Sequence, residues 1–203
     1  MSDESSNVID FYKHNAANFD RERSRILFEK AWLDKFQSYI PASGSVLDVG
    51  CGSGQPIAAY LISLGYRLTG LDASPQLIAL CESRFPDHEW FTADMRTFQS
   101  GKLFDGLLAW DSFFHLNHDD QKAMFPIFRA CVKPGAPLMF TAGPEYSEAI
   151  NPLWGMPLYH ASFARDEYAE FLSLNGFKLI DYKLEDPDCG GRSVFLAQRS
   201  NTL

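Results

Sequence analysis

Apolar residues recur along this chain in two rhythms, and the way they alternate predicts its architecture. Residues 7–20 and 24–39 carry apolar positions at helical spacing, the second run ending ahead of Pro41. From residue 45 onward, short apolar runs trade with helical stripes. Ser45–Val49 predicts a buried strand. The helix behind it opens at Pro56, sets Ile57, Leu61 and Leu64 on one face and stops at Gly65. Tyr66–Leu71 predicts a second strand, and Ser74-Pro75 gives an N-cap and first-turn proline to a helix carrying Leu77 and Cys81. Glu89–Thr92 and Phe104–Trp110 predict the third and fourth strands, the latter apolar enough for burial on both faces. Residues 119–132 read as a helix on Met124, Phe128 and Cys131, which Pro126 is expected to kink or split. Leu138–Thr141 is the fifth strand.

Residues 143–163, broken by Gly143, Pro144, Pro152, Gly155 and Pro157, are expected to form a long irregular loop. Its aromatic content argues against disorder. A helix over 166–174 ends at Asn175-Gly176, and Phe177–Leu184 pairs with Ser193–Gln198 as a hairpin. Strand–helix alternation of this kind predicts an α/β domain with a mostly parallel sheet, helices on both faces and an antiparallel edge. Ligands then bind outside the carboxyl ends of the strands.

Composition narrows the class. The chain has 203 residues, 46% of them hydrophobic, enough for a single domain over 1–203. No run of about 18 apolar residues occurs, so no membrane span is expected. The start, Met1-Ser2-Asp3-Glu4-Ser5-Ser6, is unlike a secretory signal, and a cytoplasmic location is expected. A formal charge of −8 and the lack of a basic stripe argue against nucleic acid as a partner. Cys51, Cys81, Cys131 and Cys189 are scattered without a CxxC pair, which predicts reduced thiols and no zinc site.

The chemistry centres on Val46-Leu47-Asp48-Val49-Gly50-Cys51-Gly52-Ser53-Gly54-Gln55-Pro56. A strand ends in an acid and three alternate glycines, where the backbone can turn sharply and a ligand can come close. The dinucleotide fingerprint wants its third glycine at 55, where Gln stands. Asp72, 20 residues beyond Gly52, lies where a carboxylate accepts ribose hydroxyls, which suits nicotinamide and adenosyl cofactors alike.

The order of motifs is more specific. The glycine run resembles the first motif of the class I S-adenosylmethionine-dependent methyltransferases. Leu68-Thr69-Gly70-Leu71-Asp72-Ala73-Ser74 resembles their second-strand motif and Ala93-Asp94-Met95 their third. Phe104-Asp105-Gly106-Leu107-Leu108-Ala109-Trp110 is similar to the fourth strand, and Val132-Lys133-Pro134-Gly135 to the turn before the fifth. The resemblance implies a Rossmann-like, doubly wound seven-stranded sheet, with S-adenosylmethionine as cofactor and S-adenosylhomocysteine as product. It further implies a cofactor core over 45–141, an N-terminal helical lid over 1–40, an acceptor loop over 143–163 and a C-terminal helix and hairpin over 166–199. By the same resemblance, the Gly50–Gly52 turn with Cys51 passes the methionyl part, Asp72 and Ala73 hold the ribose, and Asp94 and Met95 meet the adenine. Trp110 lies at the end of strand four, and Tyr12, Phe19 and Arg23 belong to the lid.

Asp48 is expected either to touch the cofactor's ammonium or to bind amides of its own turn. His115, just past the fourth strand, is the best placed general base, and His160 is a second candidate. Tyr146, Trp154, Tyr159 and His160 are expected to line the acceptor site. Arg192 is a minor candidate for an acidic acceptor. Asp111, His115, His118 and Asp119 straddle a strand–loop–helix junction and are expected to cap it rather than bind a metal. The expected activity is methyl transfer to O, N or S of a small-molecule acceptor by a monomer or homodimer. The rival readings are a cofactor binder without turnover and a nicotinamide-dependent oxidoreductase.

Overall fold

The computed structural model describes residues 6–201, so Met1–Ser5 of the expected lid lie outside the described residues. Helices α1 (Ser6–Glu22) and α2 (Lys30–Gln37) precede strand β1 (Ser45–Val49). Then come α3 (Ile57–Ser63), β2 (Arg67–Asp72), α4 (Pro75–Arg84), β3 (Glu89–Thr92) and β4 (Gly106–Ala109). A 3-10 turn (Phe113–His115) leads into α5 (His118–Cys131), β5 (Pro137–Ala142), β6 (Ser147–Leu153) and β7 (Met156–Ser162). The chain closes with α6 (Arg165–Leu174), β8 (Phe177–Asp186) and β9 (Arg192–Arg199).

Seven strands form one sheet in the order β3-β2-β1-β4-β5-β9-β8. The first five pair in parallel, whereas β9 runs antiparallel to both β5 and β8. The expected doubly wound fold is thus present, with its terminal hairpin at the edge. Adjacent residues of the central strands enter opposite cores. Leu47, Leu107, Phe140 and Phe195 pack with Phe125 and Phe128 of α5 and Tyr168 of α6. Their neighbours Val46, Leu108, Met139 and Leu196 pack with Phe36 of α2, Leu61 of α3 and Cys81 of α4. Strand periodicity makes this division automatic, and it forces helices onto both faces.

The order of strands reverses at β1, whose neighbours are β2 and β4. Connections leave this point toward opposite faces, so the chain ends after β1 and β4 splay apart and open a crevice. Ser74 caps α4 as expected, its hydroxyl accepting from the amide of Leu77, with Pro75 in the first turn.

Three expectations need correction. The second helix begins at Lys30 rather than residue 24, because Arg23 and Glu29 turn inward to an ion-pair cluster and Ser24 Oγ accepts from the amide of Ile26. Helix α5 runs unbroken through Pro126, which lies on its exposed side. There the carbonyl that proline deprives of a partner can turn to water. The 143–163 stretch is a β-ribbon rather than an irregular loop: β6 and β7 pair antiparallel around Trp154 and Gly155, at φ of 50° and 76°. Two left-handed residues form the tight turn that matches ribbon twist. Pro152 and Pro157 sit opposite each other in a ribbon of two edge strands, where a missing amide disturbs little.

Candidate functional site

The glycine run becomes a turn at the mouth of the crevice, with Gly50, Gly52 and Gly54 at φ of 75°, 55° and 75°. Side chains are excluded here by geometry as well as by dihedral angle. A Cβ on Gly50 would lie 2.3 Å from Cβ of Ser112, and one on Gly52 would lie 3.1 Å from the ring of Phe19. The amides of Gly50 and Cys51 donate to the carbonyl of Leu71 at 2.8 and 3.0 Å. That of Gly52 donates to Oδ2 of Asp72 at 3.0 Å, while the amide of Ser74 donates to Oδ1 at 2.8 Å. Asp72 is therefore fixed by one amide of its own turn and one of the glycine loop. Burial nevertheless lifts its pKa to about 6. Asp48, buried below the turn, is lifted to about 7 by burial first and by the charge of Asp72 second. The turn amides are taken by Leu71 and Asp72, which leaves Asp48 facing a cleft lined by Arg23, Gly52 and Trp110.

Helix α1 lies across this floor. Val8 and Phe11 are buried against Leu158, Tyr159 and Ala161 of β7, and the ring of Phe11 stacks on Trp154 at 5.7 Å. At the other end, Asp20 receives both terminal nitrogens of Arg84 at 2.7 and 2.6 Å, and Arg84 also donates to the carbonyl of Ser53. That guanidinium holds the Asp20 carboxyl well below its usual range. Helix α1 is thus fastened to the ribbon through Val8 and Phe11 and, by way of Arg84, to the glycine loop.

Of the residues expected at the cofactor, Tyr12, Phe19, Gly50, Gly52, Asp72, Ala73, Asp94 and Met95 line one cleft beneath α1. Arg23, Asp48, Cys51 and Trp110 line the adjoining one with Phe19 and the glycines. Asp94 is gripped on both oxygens by Arg96, which also reaches Asp120, and its pKa is lowered chiefly by that guanidinium. The indole nitrogen of Trp110 is buried without a hydrogen-bond partner, a donor beside the cleft awaiting an acceptor. An acid fixed for two hydroxyls, a cradle too tight for any Cβ and an orphan donor together suit an adenosyl amino acid.

Sequence reasoning did not anticipate Ser112, whose hydroxyl donates to the carbonyl of Val49 at 2.7 Å and backs the turn. Nor did it anticipate the work of Asp111. With φ of 48°, Asp111 accepts from Nε and Nη2 of Arg192 and from Nη1 of Arg23, at 2.8 to 3.0 Å. Arg192 is therefore committed to Asp111 rather than open to an acidic acceptor. A hint lay only in the charge types; the partners stand 88 and 81 residues away.

His115 is 7% exposed and makes two hydrogen bonds. Nδ1 donates to the carbonyl of Tyr159 at 2.9 Å, so Nε2 accepts from the hydroxyl of Tyr12 at 3.1 Å. Burial lowers its pKa to about 4, and it is neutral at physiological pH. His160 donates from Nδ1 to the carbonyl of Leu158 at 3.1 Å, which leaves Nε2 as its acceptor nitrogen. Its pKa is likewise lowered by burial.

A second cavity of about 570 Å³ shares Tyr12, Phe19, Asp111 and His115 with the first, and His160, Leu158, Gly143 and Arg192 also line it. The other aromatics expected there lie elsewhere. Tyr146 is 58% exposed and stacks on His118 at 4.5 Å, Trp154 donates to Glu22 of α1, and the hydroxyl of Tyr159 donates to Glu148. His118 donates to the carbonyl of Ser162, so the four junction residues disperse. Among the described residues, no three His, Cys, Asp or Glu side chains converge as a metal site would require. No helix among them is long and apolar enough to cross a membrane.

Comparison with known proteins agrees with this geometry. Residues 46–135 match the family model of a methyltransferase domain. The chain is 34% identical over 92 residues to trans-aconitate 2-methyltransferase of Escherichia coli, covering 44% of this chain and 35% of that protein. It is 28% identical over 99 residues to dTDP-3-amino-3,4,6-trideoxy-alpha-D-glucopyranose N,N-dimethyltransferase of Streptomyces venezuelae, covering 49% and 39%. The matched segments thus span little more than a third of these relatives. In fold, it superposes on 1,6-didemethyltoxoflavin-N1-methyltransferase of Burkholderia thailandensis with a TM-score of 0.74 at 18% identity, covering 98% of this chain and 91% of that one. In strand order and glycine turn this chain thus has the fold of the methyltransferase structures it superposes on, and residues 46–135 match the methyltransferase domain model.

Proposed function

We propose that the protein is an S-adenosylmethionine-dependent methyltransferase acting on a small-molecule acceptor. The observation that carries this reading is Asp72, doubly anchored at the end of β2 beside a glycine turn with no room for a side chain. The donor would supply an electrophilic methyl group on a sulfonium. Asp72 would hold the ribose hydroxyls, Asp94 and Met95 the adenine, and Asp48 and the indole nitrogen of Trp110 the methionyl end. The relatives named above act on a carboxylic acid and an amino sugar, which supports a small acceptor and leaves its accepting atom to this chain's own cavity. The free cysteines fit a reducing compartment such as the cytoplasm.

On the acceptor side, the two histidines divide the work. His115 holds Tyr12 in place, its Nε2 already occupied, and so acts as a positioning residue. His160 presents Nε2 as a lone pair and would take the acceptor's proton as the nucleophile forms. Arg23 and Arg192 keep Asp111 ionised between the two cavities.

Calorimetric titration with S-adenosylhomocysteine tests the donor site. The wild-type protein should bind it and not NADH, and Asp72→Ala should weaken binding by about tenfold or more, the worth of one lost charge-assisted hydrogen bond. Unchanged affinity would remove Asp72 from the ribose role, and tight NADH binding would favour an oxidoreductase.

A further inference from the structure

The second cavity has a definite electrostatic character. Its charged lining side chains, among the described residues, are Arg23, Asp111, Arg192 and Glu185. Three of these join the buried Glu29 in a closed cluster of two guanidiniums and two carboxylates. Arg192 grips both oxygens of Asp111, Arg23 donates to the same carboxylate, and Arg23 also lies 3.6 Å from Glu29. An anionic acceptor would have to compete with Asp111 for the guanidiniums, and it would pass Glu185, a carboxylate exposed at the rim. An ammonium fares no better inside, because the one internal carboxylate is already saturated by two cations. Leaving either charge desolvated without a partner is strongly unfavourable.

The uncharged lining favours a flat, polarisable guest. His160 stacks with Phe114 at 5.4 Å and 26° and lies 4.8 Å from the ring of His115. Leu153, Leu158, Ala149 and Ala142 form an apolar wall beside these rings, and Ser147, Asn151, Ser162 and Ser193 line the rest with uncharged polar groups. A volume of about 570 Å³ lies within the range for a drug-sized ligand. Within this wall, Nε2 of His160 is a hydrogen-bond acceptor held in direction by the bond from Nδ1 to Leu158. We infer that the acceptor is an uncharged aromatic molecule bearing a weakly acidic hydroxyl, which donates to Nε2 of His160. Burial keeps both imidazoles neutral, as a donor hydroxyl requires. The inference rests on the methyltransferase reading and deepens it by naming the acceptor's class.

A matched series on one ring tests it by binding rather than turnover. 4-Hydroxyacetophenone, 4-acetylbenzoate and 4-(aminomethyl)acetophenone would be titrated calorimetrically, at pH 6.5, into protein saturated with S-adenosylhomocysteine. The phenol should bind at least tenfold more tightly than either charged analogue. His160→Ala should erase that preference while leaving S-adenosylhomocysteine affinity unchanged. Equal or tighter binding of the carboxylate or the ammonium overturns the inference, as does failure of all three to bind the loaded protein; the methyltransferase reading survives both. Failure of S-adenosylhomocysteine itself to bind would instead remove that reading, and this inference with it.

Discussion

Two carboxylates on the cleft floor, buried Asp48 and half-buried Asp72, couple ligand affinity to pH. Asp72, at about 6, is held by two amides but pays for its burial, and Asp48 is raised further, to about 7. Since both lie above the usual carboxylate value, ionising them opposes folding. The stability they contribute is full below about pH 4 and is lost as pH rises through 6 to 7. In the proposed role, ribose hydroxyls would donate to the ionised form, so affinity would have the opposite slope. S-adenosylhomocysteine affinity should rise up to about tenfold per unit below pH 6 and level off above 7, measured by calorimetry, and Asp72→Asn should flatten the profile. Gly50→Ala meets a harder limit, because its Cβ would collide with Ser112 at a φ of 75°. It should cost more than about 1 kcal/mol in denaturant unfolding and abolish measurable cofactor binding. Asp48, Asp72, Asp94 and Trp110 could be placed from the sequence because each sits at or just past the end of its own strand, while the cofactor roles proposed for them follow from the family resemblance. Asp111 was not, since its partners Arg23 and Arg192 come from remote parts of the chain.

At the scale of elements, helix α1 behaves as a bar fastened at two points. Its C-terminal fastening, Asp20 with Arg84, is partly shielded and doubly hydrogen-bonded, so it should hold where a fully exposed pair would not. Arg84→Met should speed S-adenosylhomocysteine dissociation by roughly tenfold in stopped-flow measurements, with little change in melting temperature. The β6–β7 ribbon shows where reading by pattern failed. Paired prolines and a Trp-Gly turn look like loop chemistry, yet a ribbon with two free edges tolerates both. Its aromatics then went to helix α1: Trp154 to Phe11, and Tyr159 to the cluster with Val8. Their type announced burial but not against what. Pro126 taught the same lesson in a helix, where the exposed side excused the missing amide.

Across the whole molecule, the sheet was the most predictable part, because alternating residues of β1, β4, β5 and β9 must feed two cores. Those cores make the strand ends rigid, whereas α1 reaches the body mainly through α4 and β7. Hydrogen exchange should therefore show α1 as the least protected long helix in the free protein. S-adenosylhomocysteine should slow its amides most, and an equal effect on α5 would contradict a lid role.

The β6–β7 ribbon leaves and rejoins the body at one place, where the amide of Gly143 donates to Oγ of Ser162. Two ends stitched together make it a cassette, open to exchange at a single seam. Engineers seeking new acceptors could replace residues 144–161, provided the graft still offers Val8 and Phe11 an apolar bed and His115 and Gln121 the carbonyls now supplied by Tyr159 and Ala161. Donor chemistry and acceptor taste could then be bred separately.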